Sequence, residues 1–219
     1  MRCKVIERII NTKIIAIARG MEERAIIPLA EALFAGGISM MEITFNQAKP
    51  ESFESTAAGI RALREKFGEK LLAGAGTVIT PALVDLAFNA GALYIVSPDT
   101  NTEVIKRTKK LGLVSLPGAM TPGECLTAHN AGADFVKLFP ASELGPGYLK
   151  AIRAPLSHIR FLAVGGINEK NAAGYIRAGA EGIGVGGNLV NRDWISAGEW
   201  DRITALARTL VESIFISKD

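Results

Sequence analysis

Short apolar runs alternate with amphipathic, helix-compatible segments along almost the whole chain, and the runs are of strand length rather than helix length. Eight strands are predicted, over residues 14–18, 39–44, 71–75, 93–97, 113–116, 135–139, 161–164 and 182–185. Each is followed by a segment with helical spacing, and the βα unit recurs about every 20 to 30 residues. The punctuation repeats too: Ala35-Gly36-Gly37, Ala90-Gly91-Ala92, Ala131-Gly132-Ala133 and Ala178-Gly179-Ala180 each close a helical pattern just before an apolar run. A glycine there suits the left-handed position from which a helix turns quickly into a strand. Helix starts are legible at Thr80-Pro81, at Thr121-Pro122-Gly123-Glu124 with its capping-box glutamate, and at Asn168-Glu169. The pattern predicts an α/β protein, a single (β/α)8 TIM barrel forming one domain over 1–219, with an extra N-terminal helix over 1–11. A doubly wound open sheet stays as the alternative, because strand count does not show closure.

In a barrel, strand side chains alternate between the interior and the helix layer, and active sites form at the C-terminal strand ends. Charges at strand starts, such as Lys13, Lys70, Asp134 and Arg160, therefore belong to the opposite rim and read as stability or solubility residues. Two charges lie within strand interiors: Glu42 in Ser39-Met40-Met41-Glu42-Ile43-Thr44, and Lys137 in Phe135-Val136-Lys137-Leu138-Phe139. Burying an ammonium among such neighbours is costly unless its pKa falls or a partner compensates. A lysine that loses its proton is a nucleophilic amine able to form a Schiff base with a ketone. Glu42 would then move protons to and from the substrate. Two structural readings stand beside this one: a lysine that snorkels out of the sheet, and a buried Glu42–Lys137 ion pair.

A doubled tripeptide, Val164-Gly165-Gly166 and Val185-Gly186-Gly187, follows the seventh and eighth strands. Loops at these positions are the recurrent phosphate site of (β/α)8 barrels, and paired glycines let backbone N–H groups approach an anion closely. Asn188 and the helix start after it would add donors, although paired glycines also serve ordinary tight turns. Further polar groups end other strands: Arg19-Gly20, Asn46, Gly74-Ala75-Gly76-Thr77 and Ser97-Pro98-Asp99. The planar fork of Arg19 suits a carboxylate, and the Thr77 hydroxyl can add a hydrogen bond.

Composition narrows the partners. Cys3 and Cys125 make no disulfide framework, and the only histidines, His129 and His158, lie apart in the sequence with no carboxylate pattern, so no zinc site and no cofactor are expected. The net charge of +3 comes without a basic stripe, which disfavours nucleic acid and leaves a small anionic ligand compatible. Met1-Arg2-Cys3-Lys4 carries no signal-peptide pattern and no apolar run approaches the ~20 residues of a membrane span, so a soluble, cytoplasmic protein without membrane partners is expected.

Taken together, Ile17-Ala18-Arg19-Gly20, Glu42-Ile43-Thr44, Gly74-Ala75-Gly76-Thr77-Val78, Val96-Ser97-Pro98, Leu116-Pro117-Gly118, Val136-Lys137-Leu138-Phe139-Pro140 and Val164-Gly165-Gly166-Ile167 resemble the 2-keto-3-deoxy-phosphogluconate (KDPG) and 4-hydroxy-2-oxoglutarate (KHG) aldolase family. The resemblance runs from about Lys13 to the last helix. It implies a trimeric, metal-independent class I aldolase in which Lys137 forms the Schiff base and Glu42 is the acid/base residue. It further implies a carboxylate contact at Thr77, a substrate contact at Pro98, and distal phosphate contacts at Gly165, Gly166, Gly186, Gly187 and Asn188. Two positions depart from the gluconate-type pattern. Asn46 stands where one branch has an arginine for the substrate carboxylate; Arg19 matches the strand-one arginine of another branch, and the resemblance implies that role for it. Val164 stands where gluconate-type enzymes have threonine, as in the branch acting on the galactonate epimer. The rival expectations are a phosphosugar isomerase, epimerase or decarboxylase on the same barrel, and a non-enzymatic phosphosugar sensor.

Overall fold

The computed structural model describes residues 1–215; residues 216–219, the end of the expected domain, lie outside the described residues. Nine parallel strands form one sheet: β1 (Ile14–Arg19), β2 (Met40–Thr44), β3 (Leu72–Gly76), β4 (Tyr94–Val96), β5 (Val114–Leu116), β6 (Gly118–Ala119), β7 (Val136–Leu138), β8 (Phe161–Val164) and β9 (Gly182–Val185). Their order is β5-β4-β3-β2-β1-β9-β8-β7-β6. The two ends of that order, β5 and β6, are separated only by Pro117, which has no N–H for the ladder. β5 pairs with β4, and β6 pairs with β7. The break is bridged by the carbonyls of Ser115 and Pro117, which accept from Asp134 N at 3.0 Å and Lys137 N at 2.8 Å. The fifth predicted strand, residues 113–116, thus continues past Pro117 as β6, and through this broken strand the sheet closes into a barrel rather than opening as a doubly wound sheet.

Strand alternation sorts the buried residues into two layers. Ile14, Ala16, Met41, Ile43, Ala73, Ala75, Val136 and Ala163 face the helices in one large cluster. Ile15, Met40, Leu72, Tyr94, Val96, Val114, Leu116, Phe135, Leu162 and Val164 fill the barrel interior in another. The N-terminal helix α1 (Arg2–Thr12) sends Val5 and Ile9 into that interior cluster. Arg8 anchors it by donating to Ser39 Oγ at 3.2 Å and to the Lys70 carbonyl at 3.1 Å, and Arg2 pairs with Asp134. Asp134 also holds Lys109 at 2.7 Å and accepts from Ser115 N at 2.9 Å. Asp134 is therefore structural, as its place at a strand start implied. With α1 across the N-terminal end, access to the interior is left to the C-terminal rim.

The helix starts at Thr80 and Thr121 are as read from sequence: each hydroxyl accepts from the backbone N–H three residues on, and Glu124 completes the capping box. The seventh differs. Asn168 Oδ1 accepts from Lys170 N and Asn171 N in a turn, and the helix opens only at Ala172. An asparagine can cap either a helix or a turn, and here the turn wins. Among the described residues, no helix is long and apolar enough to cross a membrane.

Candidate active site

Glu42 and Lys137 occupy the middle residues of β2 and β7, and inward alternation places both in the barrel interior, 3% and 7% exposed. They line one cavity with Ile17, Val96, Leu116 and Val164. Its volume is about 10 Å³, on the scale of a single water. Burial pushes the Glu42 carboxyl up to about 7, against the pull of Lys137 and Arg19. Burial likewise lowers the Lys137 ammonium; Glu42 opposes that fall, Arg19 adds to it, and Asp99 opposes it more weakly. Neither side chain makes an ion pair or a hydrogen bond to another described residue, and Lys137 Nζ rests 4.6 Å from the centre of the Phe139 ring. The buried ion pair and the snorkelling lysine are both absent. An ammonium whose pKa burial lowers and a carboxyl whose pKa burial raises to about 7 instead face a shared space.

Glycines on β3 make room for the side chains beside it. A Cβ on Gly76 would lie 2.9 Å from Glu42 Cδ and press on Oε1, and one on Gly74 would strike the Tyr94 ring. Both glycines are strand residues lining the interior, whereas the sequence reading put Gly76 in a loop.

Arg19 ends β1, exposed, opposite Thr44 in register. It stands between two rim clefts. One, of about 320 Å³, includes Gly186, Gly187 and Arg192; the other, of about 270 Å³, includes Thr44, Asn46, Gln47 and Thr77. Thr77 has φ +55, a left-handed conformation unfavourable for a β-branched residue, and Gln47 Nε2 donates to its carbonyl at 2.8 Å. Asn46 Oδ1 accepts from Ala48 N at 3.1 Å. Pro98 follows β4 with its carbonyl against Gly118, the register partner of Lys137.

In the first Gly-Gly loop, Gly165 has φ +98 and Gly166 φ +69. Ser142 N, at the start of the helix Ala141–Arg153, donates to the Gly165 carbonyl at 3.0 Å, and a Cβ on Gly166 would collide with the Ser142 side chain. Glycine is required there by backbone conformation and close approach alike. At Gly187 a Cβ would meet nothing within 4 Å, so that backbone borders open space. The Asn188 amide donates to the Ile167 carbonyl at 3.0 Å and ties the two loops together. No helix starts immediately after it: the next runs Arg192–Ala197, capped by Asn191.

Three features escaped the sequence reading. Arg192 donates to the Arg19 carbonyl at 3.2 Å and borders the same cleft, its only signal being a cation just past the last strand loop. Tyr94 lies inside the barrel, where it reads in sequence as one more apolar position. His129 and His158, far apart in sequence, meet with ring centroids 4.8 Å apart. Among the described residues no group of three or more His, Cys, Asp or Glu is placed to hold a metal.

The model of the aldolase family described as KDPG and KHG aldolase matches residues 5–206. The 2-dehydro-3-deoxy-6-phosphogalactonate aldolase of Escherichia coli (strain K12) is 38% identical over 177 residues, covering 80% of this chain and 83% of that one. A solved structure described as native KDPGal is 35% identical, with TM-score 0.82 over 91% of this chain and 93% of that one. KDPG aldolase from Legionella pneumophila, with pyruvate captured as a covalent carbinolamine intermediate, is 30% identical, with TM-score 0.80 over 91% of this chain and 94% of that one.

Proposed function

Because the chain belongs to the KDPG and KHG aldolase family, we propose that it is a class I aldolase cleaving a 2-keto-3-deoxy-6-phospho sugar acid to pyruvate and glyceraldehyde 3-phosphate. The observation that carries the residue assignment is the facing of two unpartnered, buried groups, Glu42 and Lys137, on one cavity beneath the C-terminal rim. Lys137 Nζ attacks the C2 ketone, and loss of water from the carbinolamine leaves an iminium. Glu42, ionised, takes the C4 hydroxyl proton as the C3–C4 bond breaks. The bond's electron pair moves into the iminium and yields an enamine, while the aldehyde departs. Glu42 then returns the proton to C3, and water hydrolyses the iminium to release pyruvate and free Lys137. The lowered ammonium pKa keeps amine available for attack, and the carboxyl pKa near 7 suits a group that must both take and give a proton.

The rest of the site follows the substrate outward. Arg19 takes the carboxylate together with Thr77 and Pro98, and Gly165, Gly166, Gly186, Gly187 and Asn188 form the distal phosphate region. In that region Asn188 acts by holding the two loops together. Val164 lines the cavity beside Lys137 without a hydroxyl, which favours a galactonate-type over a gluconate-type C4 centre. Cleavage of 4-hydroxy-2-oxoglutarate to pyruvate and glyoxylate belongs to the same chemistry. A cytoplasmic homotrimer is the assembly proposed, and sedimentation equilibrium checks it.

Borohydride reduction in the presence of pyruvate tests the covalent mechanism. It should fix one three-carbon unit on Lys137, read by peptide mass, and Lys137→Met should abolish the adduct. An adduct elsewhere, or none, rejects the assignment.

A further inference from the structure

Tyr94 is fully buried in the barrel interior, and its hydroxyl has no hydrogen-bond partner among the described residues. A phenol left unpaired in a sealed interior is costly, since its bond to water is lost and not replaced. The ring tip is placed closely. A Cβ on Gly74 would strike Tyr94 Cζ, the carbon that carries the hydroxyl, and Gly74 is the register partner of Glu42. The ring edge from Cδ2 to Cζ therefore lies over β3, the strand paired with the one that bears Glu42. The Glu42 carboxylate leans over Gly76, two residues nearer the mouth. The two polar tips thus occupy successive layers of one seam, with only glycine backbone beside them on β3.

Resting on the aldolase reading of this site, we propose that Tyr94 is a positioning residue, the inner hydrogen-bond donor that receives Glu42 in its ionised form and sets its height relative to Lys137. With Glu42 protonated, the carboxyl leans toward Gly76 and the phenol goes unpaired. Once the carboxyl is ionised, a swing back toward Gly74 supplies the phenol with its acceptor, directly or through one buried water. The remaining charges facing Glu42 are Arg19 from β1 and Lys137 from β7, with Asp99 acting on Lys137 from the loop after β4. β3, β8 and β9 present glycines and aliphatic side chains to the site. Burial and the Glu42 charge both push the phenol pKa well up, so Tyr94 remains a donor throughout.

The test compares wild type with Tyr94→Phe, which keeps the ring and removes only the donor. Loss of a donor to the charged form raises the Glu42 pKa. The acid limb of kcat should move up by about one pH unit, with kcat at pH 6 down roughly tenfold and KM within about twofold. A merely structural tyrosine predicts the reverse: a superimposable pH profile and a raised Tm, because an unpaired buried hydroxyl has been deleted. That result overturns the proposal. Wild type that fails to trap pyruvate on Lys137 rejects the aldolase reading itself; wild type that traps and turns over beside an unchanged Tyr94→Phe profile rejects only the role of Tyr94. If Tyr94→Phe fails to fold or is inactive at every pH, 3-fluorotyrosine at position 94, a stronger donor, should lower the acid limb. An unmoved limb there overturns the proposal equally.

Discussion

Gly76 and Glu42 share one volume of space: a Cβ on Gly76 would lie 2.9 Å from Glu42 Cδ and closer still to Oε1. The obstructed atoms are the free end of the Glu42 side chain, which can move aside while the strand stays paired, and Thr44 Cγ2 at 2.8 Å, which must shift slightly with its strand. Gly76→Ala is therefore expected to leave Tm within a few degrees and to lower kcat by about a hundredfold, the scale of a ~1 Å misplacement of a reacting group. Gly74→Ala is expected to lower Tm as well as kcat, because it displaces the Tyr94 ring that positions Glu42. The added Cβ meets the rigid Tyr94 ring, and overpacking there costs about 1–3 kcal/mol of stability. Thermal melts and steady-state kinetics of the two variants check this; full turnover in Gly76→Ala would place Glu42 away from the chemistry.

The Glu42 pKa links folding to pH. Its folded value is about 7 against an ordinary 4.5, so the folded state holds the proton more tightly than the unfolded one. The stability this adds is fully present below about pH 4.5 and is lost as pH rises through 7. At ~1.4 kcal/mol per pH unit the loss approaches about 3 kcal/mol. Glu42→Gln is accordingly expected to be more stable than wild type at pH 8, to lose that advantage by pH 4.5, and to lose nearly all turnover. Lys137 offsets part of the gain, because without the Glu42 charge its ammonium falls further. Urea unfolding at the two pH values measures the difference, and wild-type cleavage should show an acid limb near pH 7.

Lys137 and Glu42 were legible because a charge inside an apolar strand violates the local pattern, and alternation alone fixes which way it points. The barrel was legible for a related reason: eight strand-length runs, each with its helix, leave few other ways to bury both faces. Closure was harder to read, since Pro117 splits the fifth strand and its continuity to β7 shows only in the pairing of β6 and the carbonyls of residues 115 and 117. Gly76 looked like a loop residue because a missing side chain does not announce what fills its place. Tyr94 was hidden for the complementary reason: aromatic rings are expected in cores, and its unpaired hydroxyl shows only in three dimensions. At Asn168 and Asn188 the side-chain amides are used by turns and loop ties that spacing does not distinguish from a helix cap or a ligand contact.

Val164 meets the cavity that holds Lys137 and Glu42, and under the proposed mechanism its branch would border the C2 to C4 portion of the keto acid. Val164→Thr substitutes a hydroxyl for a methyl at nearly constant volume. A hydroxyl there must find a partner, and the C4 hydroxyl of one epimer supplies it better than the other. The expected outcome is a shift of the kcat/KM ratio toward the gluconate epimer by about tenfold, from the ~1–3 kcal/mol that a single pocket contact discriminates. Pyruvate release coupled to NADH oxidation, run on both phosphorylated epimers, checks this. An unchanged ratio would place C4 away from Val164.

Arg19 acts at longer range. It is exposed at the end of β1 and borders both rim clefts, and its charge favours ionised Glu42 and neutral Lys137 at once. Arg19→Ala thus removes two things, the fork that would hold a carboxylate and a field that keeps both groups in their working forms. The first loss predicts a KM increase of about ten- to a hundredfold, the range for one charge-assisted hydrogen bond. The second predicts that the acid limb of kcat moves upward, because Glu42 loses a stabilising cation and Lys137 a repelling one. Arg19→Lys separates the two: the ammonium restores the field without the planar fork, so the limb should return while KM stays high. An unaffected KM in Arg19→Ala would instead assign the substrate carboxylate to Thr77 and the neighbouring backbone donors.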